Sequence, residues 1–180
     1  MMEPAECPDE AIGPVMRVVA SGLILDASDA AATEAIAYVT SLVPLDSGTF
    51  LAGCQSGPGK HTPTNTIRLA RSPGGTETWN RLPHQFETSW QGIPGSLMAA
   101  EMVEAEPGRL LLFTTWVDRS IPDRPLFNPE TEGILSTRIL SCSSTDEGDT
   151  WTAWSELPTP GLSGCAVTGP ILRWSDGTIA

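Results

Sequence analysis

The residues best equipped for chemistry lie in one charged stretch, Asp118–Gly133, with Trp116 just before it. It carries Asp118, Arg119, Asp123, Arg124, Glu130 and Glu132. Paired carboxylates beside arginine and an aromatic plate are what sugar binding or glycoside hydrolysis would use. The plainer reading, an exposed and self-paired charged loop worth about 1 kcal/mol or less per ion pair, weighs as much. His61, preceded by Lys60, lies in the polar stretch Cys54–Asn65 and is a further candidate, although a lone loop histidine more often has no such role. His84, next to Pro83, is weaker. A third group, Asp146, Glu147 and Trp151, belongs to the octapeptide Ser144–Trp151, which fits S-x-D-x-G-x-T-W at every fixed position. That spacing describes a tight turn. Asp146 accepts backbone N–H bonds across it, Gly148 takes a positive φ, Thr150 starts a new strand and Trp151 closes the hairpin end. Ser144, Asp146, Gly148, Thr150 and Trp151 are therefore expected to be structural.

Composition narrows the partners. The chain has 180 residues and a formal net charge of −12, so a nucleic-acid backbone or an anionic membrane is not an expected partner. Nearly all the positive charge is arginine, with Lys60 the one lysine; arginine outside a core clamps carboxylates in bidentate fashion. Cys7, Cys54, Cys142 and Cys165 show no C-x-x-C spacing, which argues against a zinc ribbon or redox motif and for small buried residues, best for Cys142 and Cys165. No metal site and no cofactor is expected. The acidic, proline-containing start does not read as a signal peptide, and no apolar run reaches membrane-spanning length, so the default compartment is the cytoplasm.

The elements that must position these residues form a repeat. Met16–Ile24 reads as a strand, and the Ala30–Ala35 stretch as a lead into the next strand rather than a helix. From there one unit comprises a strand Ala37–Leu45, a turn at Gly48, a strand Thr49–Gly53, the loop Cys54–Asn65, a strand Thr66–Ser72, a Gly-Gly turn and a strand around Thr78–Leu82. The pattern returns with Ser96–Val103, a turn at Gly108, Leu110–Val117, the charged loop, Ile134–Ser143, the octapeptide turn and Trp151–Leu157. It starts again at Cys165–Trp174 with a turn at Gly177. The period is on the order of 60–70 residues, longer than the ~40–50 of WD40 or kelch units. Four antiparallel strands per unit make the blade of a β-propeller.

The octapeptide resembles the Asp-box, or BNR repeat, of the sialidase (neuraminidase) superfamily, with Ser72–Trp79 a degenerate copy that keeps Ser72, Thr78 and Trp79. Also similar are Ala37–Gly53, Leu126–Gly133 and the run from Gly169 to Thr178. The resemblance implies an all-β fold, a sialidase-type β-propeller with six blades when complete. Of these the chain would hold two four-stranded antiparallel blades, about 36–83 and 96–158, and the start of a third at about 164–180. Residues 1–14 would be a flexible N-terminal segment, and 15–180 an N-terminal fragment of the propeller. The strand Val15–Ile24 would pair with the last blade, and the missing C-terminal blades would be partners of this piece.

In such a blade the first and third turns share one face, and the second turns and inter-blade links share the other. The longer loops, Cys54–Asn65, Pro83–Gly95, Asp118–Gly133 and Pro158–Gly164, would then form the functional side. The implied function is sialidase-like glycoside hydrolysis of terminal sugars of glycans, this piece being inactive alone. The alternative is a non-catalytic propeller that binds glycan or protein. Two motif positions depart from the family: Val39-Thr40-Ser41 stands where the first strand should carry Arg-Ile-Pro, and Cys54–Asn65 contains no Asp or Glu for the acid/base role. The catalytic residues are therefore unknown. Trp116, Asp118, Arg119, Asp123, Arg124, Glu130, Glu132 and His61 are the candidates for substrate binding.

Overall fold

The computed structural model describes residues 21–25, 34–74, 78–162 and 164–180. Its regular structure is two four-stranded antiparallel sheets, each with its strands in sequence order. The first holds β1 (Ile36–Pro44), β2 (Phe50–Gly57), β3 (Thr66–Ser72) and β4 (Asn80–Arg81). The second holds β5 (Gly95–Glu106), β6 (Arg109–Asp118), β7 (Thr137–Ser144) and β8 (Ser155–Leu157).

Local chemistry fixes the hairpin ends. Gly48 closes the β1–β2 turn at φ 87° and Gly108 the β5–β6 turn at φ 75°, backbone that side chains with a Cβ rarely adopt. Glu104 joins the two turns: its carboxylate accepts from Asp46 N at 2.7 Å and from Gly108 N at 2.8 Å. Alternation does the rest. Along β6 Leu110, Leu112 and Trp116 are buried in the core, while Leu111 and Phe113 between them are less so.

One apolar core lies between the sheets. Leu51, Ile67, Leu69 and Leu82 meet Leu97, Met102, Leu112 and Leu140, with Trp151 and Trp154 packed against the edge. The strands β1, β2 and β5 come closest where both sheets carry a bulge. The register of β1 shifts between Val39 and Ser41, and that of β5 between Met98 and Glu101, where Ala99 sits at φ 66°. The bulges are stitched together: Ala100 N donates to Thr40 Oγ1 at 2.8 Å, and Ser41 Oγ donates to Ala100 O at 2.5 Å. Gly53 permits this approach, since a Cβ there would lie 2.7 Å from the Ala100 carbonyl oxygen.

Several sequence-based boundaries move. β2 continues to Gly57, so Cys54 is a buried strand residue and the loop is 58–65 rather than Cys54–Asn65. The reason is that Gln55 and Ser56, polar in sequence, are buried and paired on the strand. β7 begins at Thr137 instead of Ile134, and β8 at Ser155 instead of Trp151. Cys142 is buried as expected, but Cys165 is half-buried and outside any strand. The Cys165–Trp174 run builds no ladder. It ends in a short hairpin around Gly177, with one bridge between Arg173 and Ile179 and paired bonds between Leu172 and Ala180. The early strand Met16–Ile24 lies mostly outside the described residues, and 21–25 contain no strand. The Ala30–Ala35 stretch is also largely outside them. Among the described residues no helix is long and apolar enough to cross a membrane.

Candidate functional site

Three connections meet at one end of the strands: 58–65 between β2 and β3, the link leading into β5, and 119–136 between β6 and β7. Buried polar side chains tie them together. Arg119 is 4% exposed; its backbone N donates to Pro94 O at 2.9 Å, its Nε to Ser96 Oγ at 2.9 Å and its Nη2 to His61 O at 3.1 Å. Burial pulls the Arg119 pKa down, and among the described residues no carboxylate lies within salt-bridge distance of it. Lys60 O accepts two amide donors, from Gln55 Nε2 at 2.7 Å and from Asn65 Nδ2 at 2.9 Å. Asn65 is fully buried, its Oδ1 accepts from the Thr62 hydroxyl, and its carbonyl accepts from Leu97 N at 2.9 Å.

These clamps hold the backbone of Lys60 and His61 while both side chains stay exposed. The Lys60 ammonium stands 5.9 Å from the centre of the Tyr38 ring, within cation–π range. The His61 ring meets Phe127 edge-to-face at 5.5 Å. Desolvation first, then the charges of Lys60 and Arg119, hold His61 below its ordinary pKa, so the local field is positive in an acidic chain. Phe127 also lines a cleft of about 370 Å³ with Arg124, Asn128 and Ile134.

The candidate residues separate into three sets. His61 and Arg124 are exposed on this end, as are Asp123, Glu130 and Glu132. No ion pair joins the last three to an arginine among the described residues, so the self-paired charged loop is not what forms. Asn128 orders that loop instead, its Oδ1 accepting from Glu130 N at 2.8 Å and Thr131 N at 3.2 Å. Asp118 is half-buried and caps a turn, accepting from Ser120 N at 2.8 Å; that bond above all holds its pKa down. Trp116 and Arg119 are both buried. Trp116 is 3% exposed in the core with its indole N–H on Thr88 O at 2.9 Å, because strand alternation turns it inward, so it is no exposed plate. Arg119 positions the His61 backbone rather than reaching solvent. Tyr38 and Phe127 were not legible in the sequence as site residues; the available signals were Lys60, the single lysine, which lies against Tyr38, and His61, which lies against Phe127.

The octapeptide lies at the other end, where β7 leaves its sheet. Thr150 N donates to Asp146 Oδ1 at 2.9 Å, and the Thr150 hydroxyl donates to Oδ2 of the same carboxylate. Gly148 N donates to Ser144 Oγ at 3.0 Å, and the Trp151 indole N–H to Gly148 O at 3.0 Å. The Thr150 bonds, above all its hydroxyl, push the Asp146 pKa down to about 2. The turn also touches the other sheet. Gly148, at φ 90°, faces Leu51 and Leu82, and Arg71 reaches Asp149 at 3.1 Å. His84 is half-buried against Phe86, its ring 4.6 Å away, on the side of the octapeptide, where Phe86 also meets Trp151 at 5.8 Å. Among the described residues no group of three or more His, Cys, Asp or Glu could hold a metal ion.

An all-β chain of antiparallel four-stranded sheets, with longer loops gathered at one end, defines the class; its relatives in structure give the particular fold. No protein-family model and no curated protein matches the sequence. Among solved structures the chain is similar to the leech intramolecular trans-sialidase complexed with 2,7-anhydro-Neu5Ac, at 13% identity and TM-score 0.55 over 77% of this chain and 37% of that one. It is similar also to the intramolecular trans-sialidase of Ruminococcus gnavus in complex with oseltamivir carboxylate, at 15% identity and TM-score 0.53 over 74% of this chain and 50% of that one. At such identities the likeness establishes the fold alone: the chain has a sialidase-like fold, and it spans half or less of the length of these neighbours.

Proposed function

We propose that this chain supplies the first blades of a sialidase-like propeller that acts on terminal sugars of glycans, with the 58–65 and 119–136 end as its sugar-facing side. The observation that carries the reading is the structural likeness to two trans-sialidases, one complexed with 2,7-anhydro-Neu5Ac and the other with oseltamivir carboxylate. The arrangement at the loop end supports it. Buried Arg119, Gln55 and Asn65 hold the backbone from which the exposed Lys60 and His61 side chains project, and a preordered backbone loses less entropy on binding. On this reading the two sheets are blades 1 and 2, and 164–180 opens blade 3. The octapeptide is a structural Asp-box: its polar groups bond to one another and it packs on the neighbouring blade.

A glycan-binding role without hydrolysis is the second reading. What favours it is that the connection 58–65 carries no Asp or Glu to serve as the acid/base. Turnover of a fluorogenic sialoside by the complete gene product tests the first reading. Sialic acid or an anhydro product is expected. Binding of the sialoside without turnover would establish the second reading, and neither binding nor turnover would remove both.

A further inference from the structure

Residues 165–173 are fastened to the second sheet by side chains rather than by a ladder. On β7 the Thr137 hydroxyl donates to Cys165 O at 2.7 Å and accepts from Cys165 N at 2.7 Å. On β6 Thr115 Oγ1 accepts from Val167 N at 2.9 Å, and on β5 the Glu104 carbonyl accepts from Arg173 Nη1 at 3.0 Å. Thr115 alternates with the core residue Trp116, so these anchors lie on the face turned away from the first sheet. The segment crosses that face as a strap. Register fixes what it passes over. Along β5 and β6 the rows run Met98–Thr115, Glu101–Phe113 and Val103–Leu111. The strap meets the first row at Val167, and its Pro170 and Ile171 line one cleft with Val103 of the third. Residues 168–170 therefore span the row of Glu101.

Glu101 is 4% exposed there, and its Oε2 has no hydrogen-bond partner. Among the described residues no other charged side chain shares its row, to which β6 contributes Phe113, β7 Ser141 and β8 Ser155. The charges of neighbouring elements are engaged elsewhere or exposed. Arg173 of the strap is on the Glu104 and Ala105 carbonyls, and Asp176 accepts from Thr178 N. The Glu104 carboxylate accepts from Asp46 N and Gly108 N, Glu106 faces Arg109 at 3.7 Å, and Asp46 is exposed across the cleft. A buried carboxyl without a partner is tolerated as the neutral acid and strongly disfavoured as the anion. Desolvation pushes the Glu101 pKa up to about 7.

We propose that Glu101 is a proton switch under this strap: protonated, it lets residues 165–173 lie closed on the sheet, and ionised, it releases them while both sheets stay folded. The switch is independent of the glycan reading. Opening returns Glu101 to water, where it ionises near its ordinary 4.5. Closure is therefore fully favoured below 4.5, opening gains up to about tenfold per pH unit between that value and about 7, and the gain levels off above.

The test is amide hydrogen exchange of the 180-residue chain between about pH 5 and 8, corrected for the intrinsic pH dependence of exchange and read at Cys165 and Val167. Their protection is expected to fall by up to about tenfold per pH unit until about pH 7, while the ladder amides of β6 and β7 stay protected. Glu101→Gln, which does not ionise, should hold the strap's protection constant across the range. Thr115→Val removes the Val167 anchor and should lower that protection at every pH, which identifies the readout as the strap. Wild-type protection that does not change with pH, or that falls equally in Glu101→Gln, overturns the switch. A fall shared to the same extent by the β6 and β7 amides makes the transition global and overturns it as well.

Discussion

Glu101 gives this fold a measurable sensitivity to neutral pH. It follows the β5 bulge and pairs in register with Phe113. Its neighbours Ala100 and Met102 belong to the core between the sheets, so alternation turns Glu101 to the opposite face of the second sheet. There it is 4% exposed, and its Oε2 has no hydrogen-bond partner. Burial alone raises its pKa from 4.5 to about 7. An acid whose folded pKa lies above its unfolded one stabilises the fold fully below the lower value, and that contribution is lost as pH rises through the higher one. Between pH 4.5 and about 7 the unfolded chain ionises first, and stability falls by up to ~1.4 kcal/mol per pH unit. The summed loss is about 3 kcal/mol at most, less where the surroundings relax around the ionised group. Glu101→Gln keeps the shape and removes the titration. Urea unfolding of both proteins across this range and above it should give a difference in stability that grows in favour of the variant and then levels off. Other titrating groups, such as Glu34 and Asp146, act on both proteins equally and cancel in the difference. Parallel stability curves for the two proteins would refute the reasoning.

Two other substitutions read separate parts of the structure. Asp146→Ala removes the acceptor of the Thr150 N–H and hydroxyl; since the carboxylate is exposed, the expected loss is about 1 kcal/mol at neutral pH. With the folded pKa depressed from 3.8 to about 2, that contribution is present above 3.8 and disappears as pH falls through about 2, so acid titration of wild type and variant should converge. Gly95→Ala places a Cβ on the indole Nε1 of Trp116 and 2.8 Å from Thr88 O, and should cost about 3 kcal/mol. Gly169→Ala, with nothing within 4 Å, should change the melting temperature little; equal effects of the two glycine substitutions would contradict the packing described.

What the sequence disclosed follows from which forces act locally. Thr66–Ser72 is read with its observed bounds because a loop and a turn flank an alternating run. The turns at Gly48, Gly108 and Gly177 all have the positive φ that marks them. Trp116 is misread as a sugar plate because its place before a charged loop outweighs its parity. It is in phase with Leu110 and Leu112, and that phase decides its direction. The truncated reading of β2 has another cause. Gln55 and Ser56 look like loop residues, and only partners distant in sequence make them strand residues, among them Ala99 N, which lies 3.4 Å from Gln55 Oε1 across the sheets.

Apolar alternation thus reports the scaffold, and buried polar residues report where the scaffold has been adapted. An apolar residue would suit the burial at position 55 of β2 and at positions 65 and 119 beside β3 and β6, yet the chain places an amide, an amide and a guanidinium there, each 7% exposed or less. Left unpaired, each would cost about 1–3 kcal/mol or more, so their presence demands the carbonyls they bind, and those carbonyls belong to Lys60 and His61. The charged loop drew attention in the sequence because charge is visible there. The 58–65 loop, with a single lysine and a single histidine, is instead held by buried side chains bonded to its backbone.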